Sequence, residues 1–163
     1  MKSNKQIILA IDPGDVKSAY SLLDSNYHIL GKGLLDNDKL LKLVSEIDFD
    51  ILAIEMIASY GMAVGKTVFD TCVWIGRFIQ ITESRNIKWT QIYRIEEKQF
   101  ICHDSRAKDA NIRQALIDRF GIVGTKKNPG WFYGFKKDIW ASYAVGVVYL
   151  DKKREELLKQ NVS

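Results

Sequence analysis

The chain has few of the residues that define disulfide-rich, zinc-binding or membrane proteins. It contains only two cysteines, Cys72 and Cys102, which lie far apart and form no CxxC motif. We therefore expect neither a disulfide scaffold nor a zinc site, and we expect the protein to be in a reducing compartment. No apolar run approaches the ~18 residues of a membrane span, and the opening MKSNKQ lacks the apolar segment of a signal peptide. We therefore expect a soluble, cytoplasmic protein.

Prolines are also few, and no repeat, low-complexity segment or linker interrupts the sequence. The chain has 163 residues, of which 47% are hydrophobic and 27% charged. This length and composition predict one globular domain over residues 1–163. The net charge of +4 favours a polyanionic partner only mildly, since many proteins without such a partner share it.

Two short apolar runs that each end in a carboxylate are the main feature of the first third of the chain. The run Leu-Ala-Ile precedes both Asp12 and Glu55. Such runs predict strands that are covered on both faces. Open α/β sheets bind ligands at the carboxyl ends of their strands, and neighbouring strands lie about 4.8 Å apart. Asp12 and Glu55 are therefore predicted to lie close enough to share a cation.

Periodicity and turn signals predict the remaining elements. Strands are predicted at Gln6–Asp12, Lys17–Asp24, Tyr27–Leu35, Ile51–Ile57 and Lys88–Ile95. Helices are predicted at Asn37–Ile47, Lys66–Arg85, Ala107–Phe120 and Asp138–Lys159, with a short helix or turn at Glu96–His103. Three antiparallel strands followed by alternating helices and strands are similar to the ribonuclease H-like fold. We therefore predict an α/β protein with a mixed five-stranded sheet and helices on both faces.

Asp138 is a third acid that fits the pair. It opens the last helix, where the helix dipole favours a carboxylate, and Ala141 and Ser142 are small enough to let that helix lie close to the sheet. Three crowded carboxylates require a cation. Oxygen ligands with no His or Cys nearby indicate Mg²⁺ or Mn²⁺. Two such ions about 3.5–4 Å apart can activate water and stabilise the leaving oxygen of a phosphodiester, which predicts hydrolysis of a nucleic-acid backbone.

Each of these acids also has a structural interpretation. Asp12 could belong to an Asx turn in Asp-Pro-Gly, and Asp138 could be a helix N-cap. Glu55 is harder to explain in this way, because a glutamate in a buried strand needs a partner.

Four segments resemble the RuvC-type Holliday junction resolvases, and in particular the small members carried by phages. These segments are Asp12-Pro-Gly, Ala-Ile-Glu55, AKDANIRQALIDRFG (107–121) and DIWASYAVGVV (138–148). The resemblance covers nearly the whole chain in the same order. It implies a ribonuclease H-like, metal-dependent endonuclease that nicks four-way and other branched DNA, with Asp12, Glu55 and Asp138 as catalytic metal ligands. The host would be a bacterial cell, infected by a phage or not.

The sequence departs from the family at one position. The family usually has an acid or a histidine three residues after the helix acid, where this chain has Ala141. Ser142 is a poor substitute for a carboxylate. Asp15, Asp104 and Asp109 are other candidates, and nothing in the sequence selects among them.

The resemblance also implies DNA contacts. The family has phosphate-binding basic residues in the region of Arg106, Lys108 and Arg113. Lys108 and Arg113 are the DNA-binding candidates that the resemblance implies, and Arg106 is a further candidate beside them. All three could instead form a solvated helix face. Basic residues also flank the loop Gly130–Gly134, whose aromatic side chains could stack on bases or cover the sheet edge. These basic residues are Lys126, Lys127, Lys136 and Lys137.

Two further expectations come from the resemblance. Tyr60, just after the second apolar strand, would stack at the centre of the junction. The predicted helix at residues 66–85 is more apolar than a surface helix needs to be, and it would form a homodimer interface; packing inside the monomer is the alternative.

Three other functions remain open at this point. The chain could bind junctions but cut them poorly, because it lacks an acid at Ala141. It could be another ribonuclease H-like nuclease with a different nucleic-acid substrate. An ATPase of the actin and sugar-kinase type also begins with a similar hairpin, but it needs two such domains.

Overall fold

The computed structural model describes residues 5–162. The strands are β1 (Ile7–Asp12), β2 (Lys17–Asp24), β3 (Ile29–Asp36), β4 (Ile51–Met56) and β5 (Lys88–Tyr93). The helices are α1 (Asn37–Glu46), α2 (Lys66–Ser84), α3 (Arg94–Cys102), α4 (Asp109–Phe120) and α5 (Lys137–Gln160). The predicted α/β class and the order of the elements are confirmed.

The five strands form one mixed sheet in the order β3-β2-β1-β4-β5. Strand β2 pairs antiparallel with both β1 and β3, whereas β4 pairs parallel with β1 and β5 pairs parallel with β4. The apolar runs of β1 and β4 are buried on both faces because the sheet separates two cores. One core lies under α3, α4 and α5, and the other lies under α1 and α2.

Helix α5 packs across β1 and β2, and small residues allow this close approach. Gly146 has no room for a side chain, since a Cβ atom there would lie 2.0 Å from Leu23 Cδ1. Ser142 is fully buried, and its hydroxyl lies 2.7 Å from the Ser21 hydroxyl. The close contact fixes where the first turn of α5 meets the sheet.

Three predicted boundaries shift for local reasons. The third strand begins at Ile29 because Tyr27 adopts a left-handed turn conformation with φ of 66°. The fifth strand ends at Tyr93, whose backbone N–H donates to Glu96 at 2.7 Å and so caps α3. Helix α4 begins at Asp109 because the Asn111 side chain accepts the N–H of Lys108 at 2.8 Å.

A search of residues 5–162 for a helix with the length and apolar character of a membrane span finds none.

Candidate active site

Asp12 and Glu55 lie side by side at the carboxyl edge of the sheet. The parallel strands β1 and β4 pair Ile11 with Ile54, so the two acids that follow are in register. Alternation along the strands puts both acids on the face that carries Ala10 and Ala53, which is the face that packs against α5. The charge of Glu55 helps to raise the pKa of Asp12, so the two carboxyl groups are close enough to interact.

The turn after Asp12 is held by buried polar groups. Gly14 donates its N–H to Ser18 Oγ at 3.0 Å, and its carbonyl accepts from Asn37 Nδ2 at 2.9 Å. Ser18 Oγ donates in turn to Asn37 Oδ1 at 2.6 Å. A Cβ atom at Gly14 would lie 2.3 Å from the Lys17 carbonyl oxygen, so the turn requires glycine. This network fixes the direction in which the chain leaves Asp12.

Asp138 joins the two strand acids from the first turn of α5. Its side chain is exposed, but the buried residues Ile139 and Trp140 anchor the helix start against the core. Its charge is close enough to Asp12 to raise the pKa of that residue. The structure therefore brings the three predicted acids to one edge of the sheet.

The surroundings of the two strand acids disfavour their ionised forms. Burial, followed by the charge of Glu55, raises the pKa of Asp12 to about 8. Burial, followed by the charge of Glu97, raises the pKa of Glu55 to about 7. Arg94 lowers both values but does not compensate. Sites with pKa values perturbed by burial and like charge are typical of functional centres.

Sequence reasoning missed Arg94 and Glu97, which lie at the same edge. Arg94 forms ion pairs with Glu97 in its own helix and with Asp109 of α4. Glu97 is fully buried. Its burial raises its pKa to about 8, although the charge of Arg94 acts to lower it. The only sequence signal was the i, i+3 spacing of an arginine and a glutamate, which predicts an ordinary ion pair on a solvated helix.

The structure separates the other acids that the sequence offered. Asp109 is the one whose charge reaches Glu55, and it helps to raise the pKa of Glu55. Asp104 instead caps its own turn, where it accepts the N–H of Arg106 at 2.9 Å. The charge of Asp15 acts on Lys66 of α2. Ser142, buried against the sheet, cannot stand in for a missing acid.

The donor set fits a hard divalent cation in chemistry and charge. Asp12, Glu55 and Asp138 supply only carboxylate oxygens, which Mg²⁺ and Mn²⁺ prefer, and one carboxylate oxygen of Glu97 is buried without a hydrogen-bond partner. Within the described part of the chain, no three His, Cys, Asp or Glu side chains already converge as ligands. The positions of the strands and of α5 therefore group the carboxylates at one edge, without forming a finished set of ligands.

The basic candidates fall into two groups. Arg113, Lys136 and Lys137 line one cavity of about 570 Å³ together with Arg94 and Asp109. The Arg113 guanidinium also lies 5.1 Å from the centre of the Trp140 ring. This cavity adjoins the acids, since it contains the arginine that pairs with Glu97.

The remaining candidates lie on exposed segments. Lys108 precedes α4, and Arg106 is exposed and lies 3.7 Å from Asp104. Lys126 and Lys127 are at the tip of a small hairpin closed by the pair Gly124 and Pro129. Tyr60 is 68% exposed in the loop after β4, where it has a left-handed φ of 47°.

The aromatic loop covers the core, as its structural interpretation predicts. Phe132 is fully buried among Phe120, Trp140 and Tyr143. Trp131 stacks on Phe120 and donates its indole N–H to the Tyr143 hydroxyl at 3.1 Å. Neither ring is available to stack on bases.

Searches against family models and against curated proteins find no match. Solved structures do match. RuvC from Thermus thermophilus has a TM-score of 0.70 and 10% identity, over 93% of this chain and 97% of that one. The same protein in complex with a Holliday junction substrate gives 0.71 and 10%, over 93% and 96%. The chain has the ribonuclease H-like fold of RuvC.

The yeast mitochondrial Holliday junction resolvase is also similar. It gives a TM-score of 0.58 and 13% identity, over 95% of this chain and 86% of that one. The RuvC fold thus extends over most of the chain. At these identities the likeness establishes the architecture, and the roles of individual residues must be argued from the site itself.

Proposed function

We propose that this chain, acting as one domain, is a metal-dependent endodeoxyribonuclease that nicks four-way and other branched DNA. The observation that carries the proposal is the cluster of Asp12, Glu55 and Asp138 at the carboxyl edge of a RuvC-type sheet, with its negative charge uncompensated. The fold neighbours named as Holliday junction resolvases support the substrate class.

The three acids would hold Mg²⁺ or Mn²⁺, as a pair of ions in each site. Such ions supply a nucleophile from bound water and stabilise the leaving oxygen of the phosphodiester. The fold positions the three acids. The register of β1 and β4 places the two strand acids side by side, and the packing of α5 on the sheet places Asp138. Ionised Asp12 and Glu55 are required for this role, so the cation must offset the burial that raises their pKa values.

Basic residues around the cavity would bind the phosphates of the DNA. Arg113, Lys136 and Lys137 line the cavity that Arg94 also lines, and Lys108 and Arg106 would add to the DNA-binding surface from the start of α4. Lys126 and Lys127, on their hairpin, would contact a more distant arm, and exposed Tyr60 would stack at the junction centre. Contacts with phosphates make binding depend steeply on salt.

Cleavage of defined substrates tests the proposal. A labelled four-way junction, a flap and a linear duplex would be incubated with Mg²⁺, Mn²⁺ or EDTA. We expect nicking of the junction with either metal, none in EDTA and little of the duplex. Binding without nicking would favour a junction-binding module, consistent with the absence of an acid at Ala141. Preference for another substrate would favour a different ribonuclease H-like nuclease.

We also propose that α2 forms a homodimer interface, which would place two sites on one junction. Phe69 and Val73 lie one turn apart on α2 and are 61% and 62% exposed. Gly76, another turn along, is open to solvent with no atom near its missing side chain. Exposed apolar residues on one face favour association.

The dimer is tested by light scattering across a range of protein concentrations. Phe69→Glu is expected to give a monomer, while Leu158→Glu, which changes a 65% exposed residue on α5, is the matched control. Equal masses for the two variants and the unmodified protein would contradict an interface at α2.

A further inference from the structure

Glu97 is a buried carboxylate whose hydrogen bonding is incomplete. Its side chain is 0% exposed, and one oxygen accepts from Arg94. The other oxygen, Oε1, is buried and has no hydrogen-bond partner in the described part of the chain. Burying a charged group in this way is unfavourable, so the unsatisfied oxygen calls for an explanation.

The fold places Glu97 at the edge where the other acids lie. Glu55 of β4 is paired with Ile92 of β5, and α3 begins directly after β5. Glu97 lies within the first turns of that helix. The charge of Glu97 helps to raise the pKa of Glu55, and the charge of Asp12 helps to raise the pKa of Glu97.

Arg94 holds Glu97 in place but does not neutralise the group. Its guanidinium pairs with Glu97 and with Asp109, and its charge also acts on Asp12 and Glu55. Arg94 therefore interacts with several carboxylates at once. The balance of charge at this edge is negative, which is the condition that favours a divalent cation.

The space left by Ala141 belongs to the same region. Ala141 follows Asp138 by one helical turn and lines the cavity that Arg94 and Asp109 also line. At this position of α5 the chain offers a methyl group in place of a carboxylate.

We propose that Glu97 is a further carboxylate of the divalent-cation site and supplies, from α3, the negative charge that α5 lacks at Ala141. The inference rests on the proposed function. The buried Oε1 is the atom available to the cation or to a water molecule bound to it, and Arg94 acts as a positioning residue for Glu97. The chemical class of the ligand is a hard divalent cation such as Mg²⁺ or Mn²⁺.

A purely structural role for the ion pair between Glu97 and Arg94 predicts the opposite result. If Glu97 only anchors Arg94, then removing its charge destabilises the protein and leaves cation binding unchanged. If Glu97 belongs to the cation site, then removing its charge relieves repulsion in the metal-free protein and weakens cation binding.

The test measures Mn²⁺ binding by electron paramagnetic resonance together with the melting temperature of the metal-free protein. Glu97→Gln is expected to weaken Mn²⁺ binding by about tenfold or more, with an unchanged or raised melting temperature. Glu96→Gln is the matched control: Glu96 is the neighbouring glutamate, and it caps Tyr93 and pairs with Lys152. Its Mn²⁺ affinity is expected to stay within about twofold of the unmodified protein.

A second variant adds the missing acid. Ala141→Asp in the Glu97→Gln background is expected to restore Mn²⁺ binding at least in part. Unchanged Mn²⁺ binding in Glu97→Gln, or failure of that variant to fold, would overturn the role of Glu97. The nuclease proposal fails separately, if the unmodified protein binds Mn²⁺ but cuts no DNA; a loss of Mn²⁺ binding in Glu97→Gln would still support the inference.

Discussion

The two edges of the sheet treat a buried carboxylate in opposite ways. Asp24 ends β2 at one edge and is 6% exposed, yet it accepts the N–H groups of Asn26 and His28 at 2.8 and 3.0 Å. Lys5 Nζ and His28 Nδ1 lie 3.3 and 3.2 Å from its second oxygen. Burial alone would raise the pKa of Asp24, but these hydrogen bonds lower it.

At the other edge, Asp12, Glu55 and Glu97 share the charge of Arg94, and all three have raised pKa values. The same residue type in the same sheet is thus satisfied by the protein at one edge and left unsatisfied at the other. A carboxylate that the protein satisfies stabilises the fold. We interpret the group of carboxylates that the protein leaves unsatisfied as the ligands of the proposed cation site.

The largest expected effect that separates the two edges is on DNA cleavage. Asp12→Asn is expected to lower junction nicking with Mg²⁺ by at least about 100-fold, because it removes a ligand charge from the cation site. Asp24→Asn, the same chemical change at the opposite edge, should leave the rate within about threefold. Junction binding, measured by gel shift in Ca²⁺, should persist in both variants. Full nicking by Asp12→Asn would remove that residue from the catalytic site.

The two substitutions should have the reverse order of effect on the free energy of unfolding. Asp24→Asn is expected to lower the free energy of unfolding by about 1–2 kcal/mol, since it weakens hydrogen bonds to a charged acceptor. Asp12→Asn should leave it unchanged or raise it in the metal-free protein, because a buried charge among like charges is removed. Urea unfolding in EDTA measures both values. A loss in Asp12→Asn as large as that in Asp24→Asn would contradict the contrast between the edges.

The sequence predicted the positions of Asp12 and Glu55, but it predicted neither Glu97 nor the contacts of Asp24. The positions of Asp12 and Glu55 follow from where two apolar runs stop, and that pattern is local. The succession of strands and helices along the chain follows from the turn and helix signals, and the structure confirms it. Glu97 could not be found in the same way, because its burial depends on how α3 turns in from β5. In sequence it sits among charged residues that predict a solvated helix.

Other features also depend on tertiary packing rather than on pattern. The aromatic residues of the loop at Gly130–Gly134 are equally suited to DNA or to a core, and only the packing of Phe132 against α4 and α5 decides between them. Asp24 likewise gave no sequence signal, since its partners come from a turn in which Tyr27 has a left-handed conformation.

The stability of the metal-free protein should fall as the pH rises from about 5 to about 8. The pKa values of Asp12 and Glu55 are raised from 3.8 to about 8 and from 4.5 to about 7. The folded protein therefore binds more protons than the unfolded chain over this interval, and stability decreases with pH. Asp24 adds no slope here, because its lowered pKa affects stability only below about 4.

Thermal melts in EDTA measure this dependence. We expect the melting temperature to fall by about 5 °C or more between pH 5 and pH 8.5. Asp12→Asn should flatten the curve, and excess Mn²⁺ should raise the melting temperature most at the high-pH end. A flat curve for the unmodified protein would mean that the acids at this edge are neutralised in another way.

The smallest expected effect tests what satisfies Asp24. Lys5 is 45% exposed and lies 3.3 Å from Asp24, so solvent screens this ion pair and Lys5→Ala should cost no more than about 1 kcal/mol. The backbone N–H groups of Asn26 and His28 are fixed by the turn and remain in the variant. A cost in urea unfolding as large as that of Asp24→Asn would show that the lysine charge, rather than the turn, satisfies the carboxylate. The contrast between the edges would then be one of available cations, with Lys5 at one edge doing what a divalent ion would do at the other.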